Sequence, residues 1–251
     1  MSESPCATWD EFKSRVAGFA KHFPFAVEWI CAIGSGWENE KFEELYREYV
    51  RSTQIVLGPN DDATELKGRP LEKVARYFLE KGGLITEIGE ITETAKWQVD
   101  GYGPANRASI DCCWGKEKSE QIGPQVYMEA KNHSTPVDGG EFSHHYRRMD
   151  EHHCNLGVMI STSGYKIGRG KGIAQSIYIN SARNKFHILL AFQSLRDVIL
   201  NNKPPMAILT TALMYAFNNS YVNDRSVQAE YSKKECQQAA SEEYARLFPP
   251  S

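Results

Sequence analysis

The residues of this chain that could do chemistry together lie in two short stretches. Glu129 and Lys131 stand two positions apart within residues 125–132, a segment that we predict to be a strand. Alternate side chains of a strand share a face, so this carboxylate and this ammonium should lie side by side. Asp111 lies within residues 110–114, which we predict to be a neighbouring strand. Two carboxylates and a lysine that meet where strands end can hold a hard cation and orient a water molecule.

A third carboxylate, Glu72, belongs to a predicted helix. Apolar residues recur at helical spacing over residues 71–79, directly after Gly68-Arg69-Pro70, and proline is well tolerated in a first helical turn. Glu72 falls at the edge of this apolar stripe. Taken alone, it is more typical of an ordinary charge at the rim of a core. Together with the two strand carboxylates it becomes a candidate site residue.

The charges of the chain are distributed unevenly. Residues 152–196 contain no Asp or Glu, although the surrounding chain is acidic. One interpretation is a solvated basic face, and the other is a surface that contacts phosphates. His133, two residues after Lys131, could contact a phosphate, although it is more typical of a loop histidine. The candidate nucleic-acid-binding residues are therefore Lys166, Arg169, Lys171, Arg147, Arg148 and His133.

Other kinds of site have weaker support. Residues 168–172 (Gly-Arg-Gly-Lys-Gly) lack the spacing of a nucleotide P-loop and of a dinucleotide-binding loop, so we expect no nucleotide cofactor. Four histidines and Cys154 cluster within residues 144–154, but no second Cys/His pair stands at zinc-finger spacing. A surface helix or a DNA contact explains this cluster better than a zinc site.

The composition of the chain limits the remaining classes of protein to which it could belong. The chain has 251 residues, 41% of them hydrophobic, and a formal net charge of -3, which provides no general attraction to nucleic acid. Its six cysteines show no disulfide framework and no CxxC motif. The longest apolar run, residues 206–217, is too short to cross a bilayer. We therefore expect no membrane partner and a reducing, cytoplasmic location.

Strands alternate with helices in the middle of the chain. The apolar runs at residues 156–160 and 186–192 are continuous, as in a sheet that is covered on both faces. This alternation predicts the α/β class with helical ends. We expect an N-terminal helical region over residues 1–62, a core over residues 63–202 and a C-terminal helical region over residues 203–251.

The order of these features resembles the PD-(D/E)xK nuclease superfamily, and within it the restriction-endonuclease-like, Mrr-type branch. The resemblance covers roughly residues 66–195. Its one departure is Ile110, which stands before Asp111 where the superfamily name has proline. The matching stretches are Gly68-x-x-Leu71-Glu72, Ile110-Asp111, Tyr127-Met-Glu129-Ala-Lys131 and Val158-Met-Ile-Ser-Thr-Ser-Gly-Tyr165.

The resemblance implies a restriction-endonuclease-like core, in which helices flank a central mixed β-sheet, and Mg²⁺-dependent hydrolysis of DNA, with Mn²⁺ able to substitute. It implies that Lys131 orients or deprotonates the attacking water or stabilises charge on the phosphate. Because a lysine beside carboxylates keeps its proton, we favour the orienting and electrostatic role. The implied metal ligands are Asp111, Glu129, the backbone carbonyl of Ala130 and, directly or through water, Glu72.

We expect duplex DNA as the substrate, in restriction or anti-phage defence. Cutting both strands needs two active sites, so we expect a homodimer. Two alternatives stay open: a nuclease for single-stranded DNA, branched DNA or RNA, and a catalytically silent nucleic-acid-binding module on the same fold. The silent module predicts salt-sensitive binding through Lys166, Arg169 and Lys171. It also predicts that no metal binds at Asp111 and Glu129.

Overall fold

The computed structural model describes residue 14 and residues 37–86, 89–90, 101–168, 172–181, 183–218 and 220–249. Of the expected N-terminal helical region, it therefore covers residue 14 and residues 37–62. The predicted nucleic-acid-binding residues Arg169 and Lys171 lie outside the described residues.

The described elements alternate between helix and strand through the middle of the chain. No helix among them is long and apolar enough to span a bilayer. The strands are β1 (Gly89–Glu90), β2 (Gly101–Pro104), β3 (Gln125–Lys131), β4 (Leu156–Ser161) and β5 (Phe186–Ala191). The helices are α1 (Asn39–Thr53), a π-helical turn (Thr64–Gly68), α2 (Arg69–Lys81), α3 (Arg107–Trp114), α4 (Lys116–Ile122), α5 (Gly139–Glu151), α6 (Ala174–Ser181), α7 (Phe192–Leu200), α8 (Pro205–Phe217), α9 (Ser220–Asn223), α10 (Arg225–Glu230) and α11 (Lys233–Leu247).

The five strands form one sheet in the order β1-β2-β3-β4-β5. The first three strands pair antiparallel, and β3, β4 and β5 pair parallel. Parallel neighbours need crossover connections, which α5 supplies between β3 and β4 and α6 supplies between β4 and β5. The prediction of an α/β protein, with a mixed sheet flanked by helices, is confirmed.

The two faces of the sheet are covered by different helices. Val126 and Met128 point to the face on which α1, α2, α7 and α8 pack, and we call it the α2 face. Tyr127 and Glu129 point to the opposite face, which α5 and α6 cover, and we call it the α5 face. Because both faces are covered, every residue of β4 and β5 is buried.

Helix α5 approaches the sheet closely because of Gly157 on β4. A Cβ at this position would stand 2.4 Å from Nε2 of His145 and 2.4 Å from Sδ of Met149. Glycine inside a strand often marks such a close approach. The approach brings the inner side of α5 against the middle of the sheet.

Residues 110–114 belong to helix α3, so the prediction of a strand at this place is wrong. The side chain of Asn106 caps the helix by accepting a hydrogen bond from a backbone N–H of the first turn, and Gly115, with φ of 81°, ends it. Ile110 and Trp114 are four residues apart and therefore share one side of a helix. Their preference for strands favoured the wrong interpretation. The strand that pairs with β3 on this side is β2.

The C-terminal helix α11 is tied to the core by a buried carboxylate. Glu243 is fully buried, and its carboxylate lies 3.2 Å from Nε of Arg196 on α7 and 2.6 Å from Nη2 of Arg246. One carboxylate therefore joins α11 to α7, next to the sheet.

Candidate active site

Glu129 and Lys131 lie on the α5 face at the carboxyl end of β3, as the strand pattern predicted. Lys131 Nζ is 2.5 Å from Oε1 of Glu129. The other carboxylate oxygen, Oε2, accepts a hydrogen bond from Nδ1 of His145 at 3.0 Å. Glu129 is 3% exposed, so a buried carboxylate is held between a lysine and a histidine.

Helix α5 delivers His145 to this pair. Asp138 caps the helix through the N–H groups of Gly140 and Glu141, and the Glu141 side chain accepts a hydrogen bond from the Asp138 N–H. This capping box fixes where α5 begins. His145 follows Glu141 by one helical turn and points inward, where the space above Gly157 accommodates it.

The surroundings of Glu129 keep it ionised. Burial is the largest influence on its pKa and opposes ionisation. The hydrogen bond from His145, with the charges of His145 and Lys131, outweighs burial and holds the pKa of Glu129 below its ordinary value. The negatively charged carboxylate of Glu129 therefore lies next to the ammonium of Lys131.

A second acid–base pair stands beside the first. His133 Nε2 lies 3.2 Å from Oε1 of Glu141, and His133 Nδ1 lies 2.8 Å from the carbonyl oxygen of Thr135. The contact with His133 lowers the pKa of Glu141, burial opposes this, and the charge of Lys131 adds to the lowering. Glu129, Lys131, Glu141 and His133 thus form a cluster of acidic and basic side chains, which we call the β3-end cluster.

A buried histidine lies behind this cluster. The rings of His145 and His187 are 5.5 Å apart. Burial, followed by the neighbouring His145 and Lys185, lowers the pKa of His187 well below its ordinary value. His187 is therefore uncharged near neutral pH.

The structure does not place Asp111 with Glu129. Asp111 lies on α3, whose Ile110 packs into the core of the α2 face, whereas the Glu129 carboxylate points to the α5 face. Oδ1 of Asp111 is buried and has no hydrogen-bond partner among the described residues. The strand predicted at residues 110–114 is a helix, so the prediction that these two carboxylates share one ion loses the strand pairing that supported it and stays a prediction.

Glu72 lies half-buried in the first turn of α2, as predicted, on the helix that covers the α2 face. The described residues contain no group of three or more His, Cys, Asp or Glu side chains that could hold a metal ion. The implied ligand set therefore does not form among them. Glu129 contributes one carboxylate, and both of its oxygens already have partners. No step described below depends on a bound magnesium ion.

The predicted phosphate-contacting residues are scattered. Arg147 and Arg148 lie on α5 and both pair with Glu151, at 3.4 and 3.2 Å. Lys166 is exposed in the loop after β4. Only His133 lies in the β3-end cluster. A continuous basic surface is not formed by the described members of the set.

Sequence reasoning missed a polar network on the other side of β3. Asn132 donates hydrogen bonds to Ser52 Oγ and to the Lys67 carbonyl, and it accepts one from Thr162 Oγ1. Thr162 in turn lies 2.9 Å from the Tyr49 hydroxyl. A signal was available, because polar residues lie at the carboxyl ends of two predicted strands, and ligands often bind at the carboxyl ends of strands in α/β sheets.

Comparison of the chain with known proteins gives no match among the models of protein families, the curated proteins or the solved structures. The candidate site therefore has to be judged on its own geometry.

Proposed function

We propose that this chain is an endonuclease that hydrolyses phosphodiester bonds of DNA, with Glu129 and Lys131 at its reaction centre. We place it in restriction or anti-phage defence and expect a cytoplasmic enzyme. The observation that carries the proposal is the ion pair between the buried Glu129 and the half-buried Lys131 at the carboxyl end of a central strand. Ligands usually bind at the carboxyl ends of the strands in α/β sheets. A charged pair that is shielded from water at this place is typical of functional sites.

In this proposal Lys131 contacts the phosphate that is attacked. Its ammonium lies beside a carboxylate, so it keeps its proton and acts by charge and position. Such a cation stabilises the charge that develops on the phosphate oxygens. Glu129, fixed by His145, holds Lys131 in place. His133, paired with Glu141 at the rim of the cluster, takes a proton from the attacking water as the new O–P bond forms and returns it to the leaving oxygen as the old P–O bond breaks. Histidine exchanges protons most readily near neutral pH.

Dependence on Mg²⁺, with Mn²⁺ as a substitute, remains part of the proposal. It requires donors beyond the described residues, because Glu129 is the one carboxylate of the implied set on the α5 face. Asp100 directly precedes β2 in the sequence and lies outside the described residues. It is the first position that we would test for the missing carboxylate.

The deciding experiment is a cleavage assay on duplex DNA, single-stranded DNA, branched DNA and RNA, with Mg²⁺, with Mn²⁺ and with EDTA. Glu129→Gln and Lys131→Ala should each reduce cleavage about a hundredfold or more, the usual effect of removing a group that stabilises transition-state charge. Glu120→Gln and Lys116→Ala are matched controls, because these two residues form an exposed ion pair 4.0 Å apart on α4. Full activity of the Lys131 variant would refute the proposal.

Two further variants separate the possible second carboxylates. Asp111→Asn should retain cleavage, because Asp111 lies on the helix that packs against the α2 face. Asp100→Asn should abolish cleavage if that residue supplies the missing donor. Loss in the Asp111 variant with retention in the Asp100 variant would restore the original pairing of Asp111 with Glu129.

One observation favours the silent nucleic-acid-binding module as a second candidate. Both oxygens of Glu129 are already engaged, so a metal would have to share them with Lys131 and His145. Calorimetric titration with Mn²⁺ decides between the candidates. Binding that is lost in Glu129→Gln supports the enzyme. Absence of metal binding and of cleavage, with salt-sensitive binding of DNA, supports the module.

The proposed partner of this chain, apart from DNA, is a second copy of itself. One β3-end cluster can cleave one strand of the DNA duplex at a time. Cleavage of both DNA strands in one binding event therefore requires two chains. Light scattering of the wild-type protein with and without duplex DNA measures the assembly. A monomer that produces only nicks would remove the homodimer from the proposal.

A further inference from the structure

A polar pocket of about 310 Å³ lies beyond the carboxyl ends of β3 and β4. The loops that follow these strands contribute His133 and Ser163 to its lining, the π-helical turn contributes Lys67, and α11 contributes Ser241. The volume is at the lower end of the range for small-molecule sites. The pocket is thus large enough for a ligand about the size of a nucleotide.

The lining is polar and contains no acidic side chain. The lining residues are Ser, Thr, Asn and Gln, together with Lys67, His133 and one alanine. Among the described residues, no carboxylate lies within ion-pair distance of the Lys67 ammonium. A pocket of this composition favours a ligand that carries negative charge and accepts hydrogen bonds.

The walls of the pocket are held in place before any ligand arrives. Asn132, which is 8% exposed, is fixed by the network through Ser52, the Lys67 carbonyl and Thr162. Ser163 Oγ donates to the carbonyl oxygen of His133 at 2.5 Å. Such networks rigidify a polar site and reduce the cost of ordering it when a ligand binds.

The third wall comes from the C-terminal helix. Gln237 Nε2 donates to the carbonyl oxygen of Ser134 at 3.4 Å, which joins α11 to the loop after β3. Ser241, one turn further along α11, lies in the exposed part of the lining. Helix α11 therefore forms one side of the opening, where a charge can be introduced without disturbing the core.

We propose that this pocket binds the phosphate group of a nucleotide-sized ligand, with Lys67 and the polar side chains of the lining facing the phosphate. The ligand is a phosphate monoester, and it comes either from a free mononucleotide or from the phosphorylated end of a nucleic acid. The site lies on the α2 side of the end of β3, where Asn132 points. It shares the lining residue His133 with the β3-end cluster, but it does not include the Glu129–Lys131 pair on the α5 face. It stands whether or not the chain cleaves DNA.

Calorimetric titration of the full chain with four probes tests the proposal: inorganic phosphate, adenosine 5′-monophosphate, adenosine, and a short single-stranded oligonucleotide with a 5′-phosphate. The monophosphate should bind and adenosine should bind at least tenfold more weakly, because only the monophosphate carries the anion. The oligonucleotide binds more tightly than the mononucleotide if the natural source is a nucleic acid end, and more weakly if it is a free nucleotide. Equal binding of adenosine and its monophosphate would overturn the proposal.

Variants at the opening make the test specific. Ser241→Glu places a carboxylate beside the phosphate and should weaken binding of the monophosphate at least tenfold, whereas Ser241→Gln, of similar shape and without charge, should bind like the wild type. Lys67→Met should weaken binding about ten- to a hundredfold, the effect of losing a hydrogen bond to a charged group. Equal affinity of the two Ser241 variants would refute the site.

Glu129→Gln distinguishes this proposal from the proposed function. The variant should bind the monophosphate with unchanged affinity and fail to cleave DNA. Failure of cleavage in the wild type would leave the pocket proposal intact. Failure of every phosphate probe to bind the wild type would refute the pocket and leave the nuclease proposal intact.

Discussion

Glu129 and Glu243 are both buried carboxylates with two basic partners, but the two regions around them differ. Glu243 is held by Arg196 and Arg246, and guanidinium groups stay charged under all ordinary conditions. Glu129 is held by Lys131, an ammonium, and by His145, an imidazole. The first arrangement joins two helices, whereas the second holds an ammonium at the end of a strand.

This difference shows that burial of a charged group alone does not identify a functional site. The kind of partner and the position in the fold separate the two carboxylates. Glu243 lies between α7 and α11, whereas Glu129 lies at the end of a central strand. We therefore expect changes at Glu243 to affect stability alone, and changes around Glu129 to affect stability and activity together.

The largest effect on stability should come from Glu243→Gln. The variant leaves two arginines without their shared carboxylate, and breaking such a buried pair costs about 3 kcal/mol of unfolding free energy. Urea denaturation measures this loss. Cleavage per folded molecule should stay at the wild-type level, and a specific loss of cleavage would break the comparison.

Lys131→Met should have the next largest effect, because it leaves the buried Glu129 carboxylate with His145 alone. We expect a loss of about 2 kcal/mol of unfolding free energy, the cost of an under-satisfied buried charged group. Adding Glu129→Gln to this variant should recover much of the loss, which urea denaturation of single and double variants measures. No recovery would mean that Lys131 stabilises the fold by packing rather than by charge.

The region around Glu129 should respond to mild acid. The pKa of His187 is lowered well below its ordinary value of 6.5. In mild acid, His187 therefore binds a proton in the unfolded chain but not in the folded chain. The unfolding free energy should therefore be constant above about pH 7 and fall as the pH drops below 6.5. Thermal denaturation between pH 7.5 and pH 5 measures this.

His187→Gln should flatten this pH dependence, because it removes the proton-binding group. His144→Gln is the matched control, since His144 is exposed on α5. Equal pH dependence in both variants would show that another group causes the acid sensitivity.

The smallest effect should come from Asp111→Asn. Asp111 has an Oδ1 atom that is buried without a hydrogen-bond partner among the described residues, so loss of its charge should change the unfolding free energy by less than about 1 kcal/mol. Urea denaturation checks this value. A loss as large as that of Lys131→Met would show that Asp111 has a structural role comparable to that of Lys131.

Sequence patterns predicted the strands and helices whose residues are buried on a regular period. β4 and β5 appear as continuous apolar runs, α2 as an amphipathic stripe, and Glu129 with Lys131 as one face of β3. These features depend on local periodicity. They could be predicted because neighbouring residues along the chain determine them.

Features that depend on distant parts of the chain could not be predicted. Residues 110–114 have strand-forming side chains, but the Asn106 cap and packing in the core of the α2 face make them helical. His145 becomes a partner of Glu129 only when α5 docks on the sheet. Glu243 gains Arg196 across 47 positions of sequence. The spacing of residues along the chain does not indicate these contacts.

The absence of a side chain at Gly157 has a consequence for recognising other chains of this kind. Tyr127 pairs with Gly157 across the two strands, and Glu129 pairs with Met159, so the glycine lies two residues away from the level of Glu129. An alanine there would force His145 and Met149 outward and separate the imidazole from its carboxylate. In related chains, a larger residue at the position of Gly157 should therefore occur together with a replacement of His145.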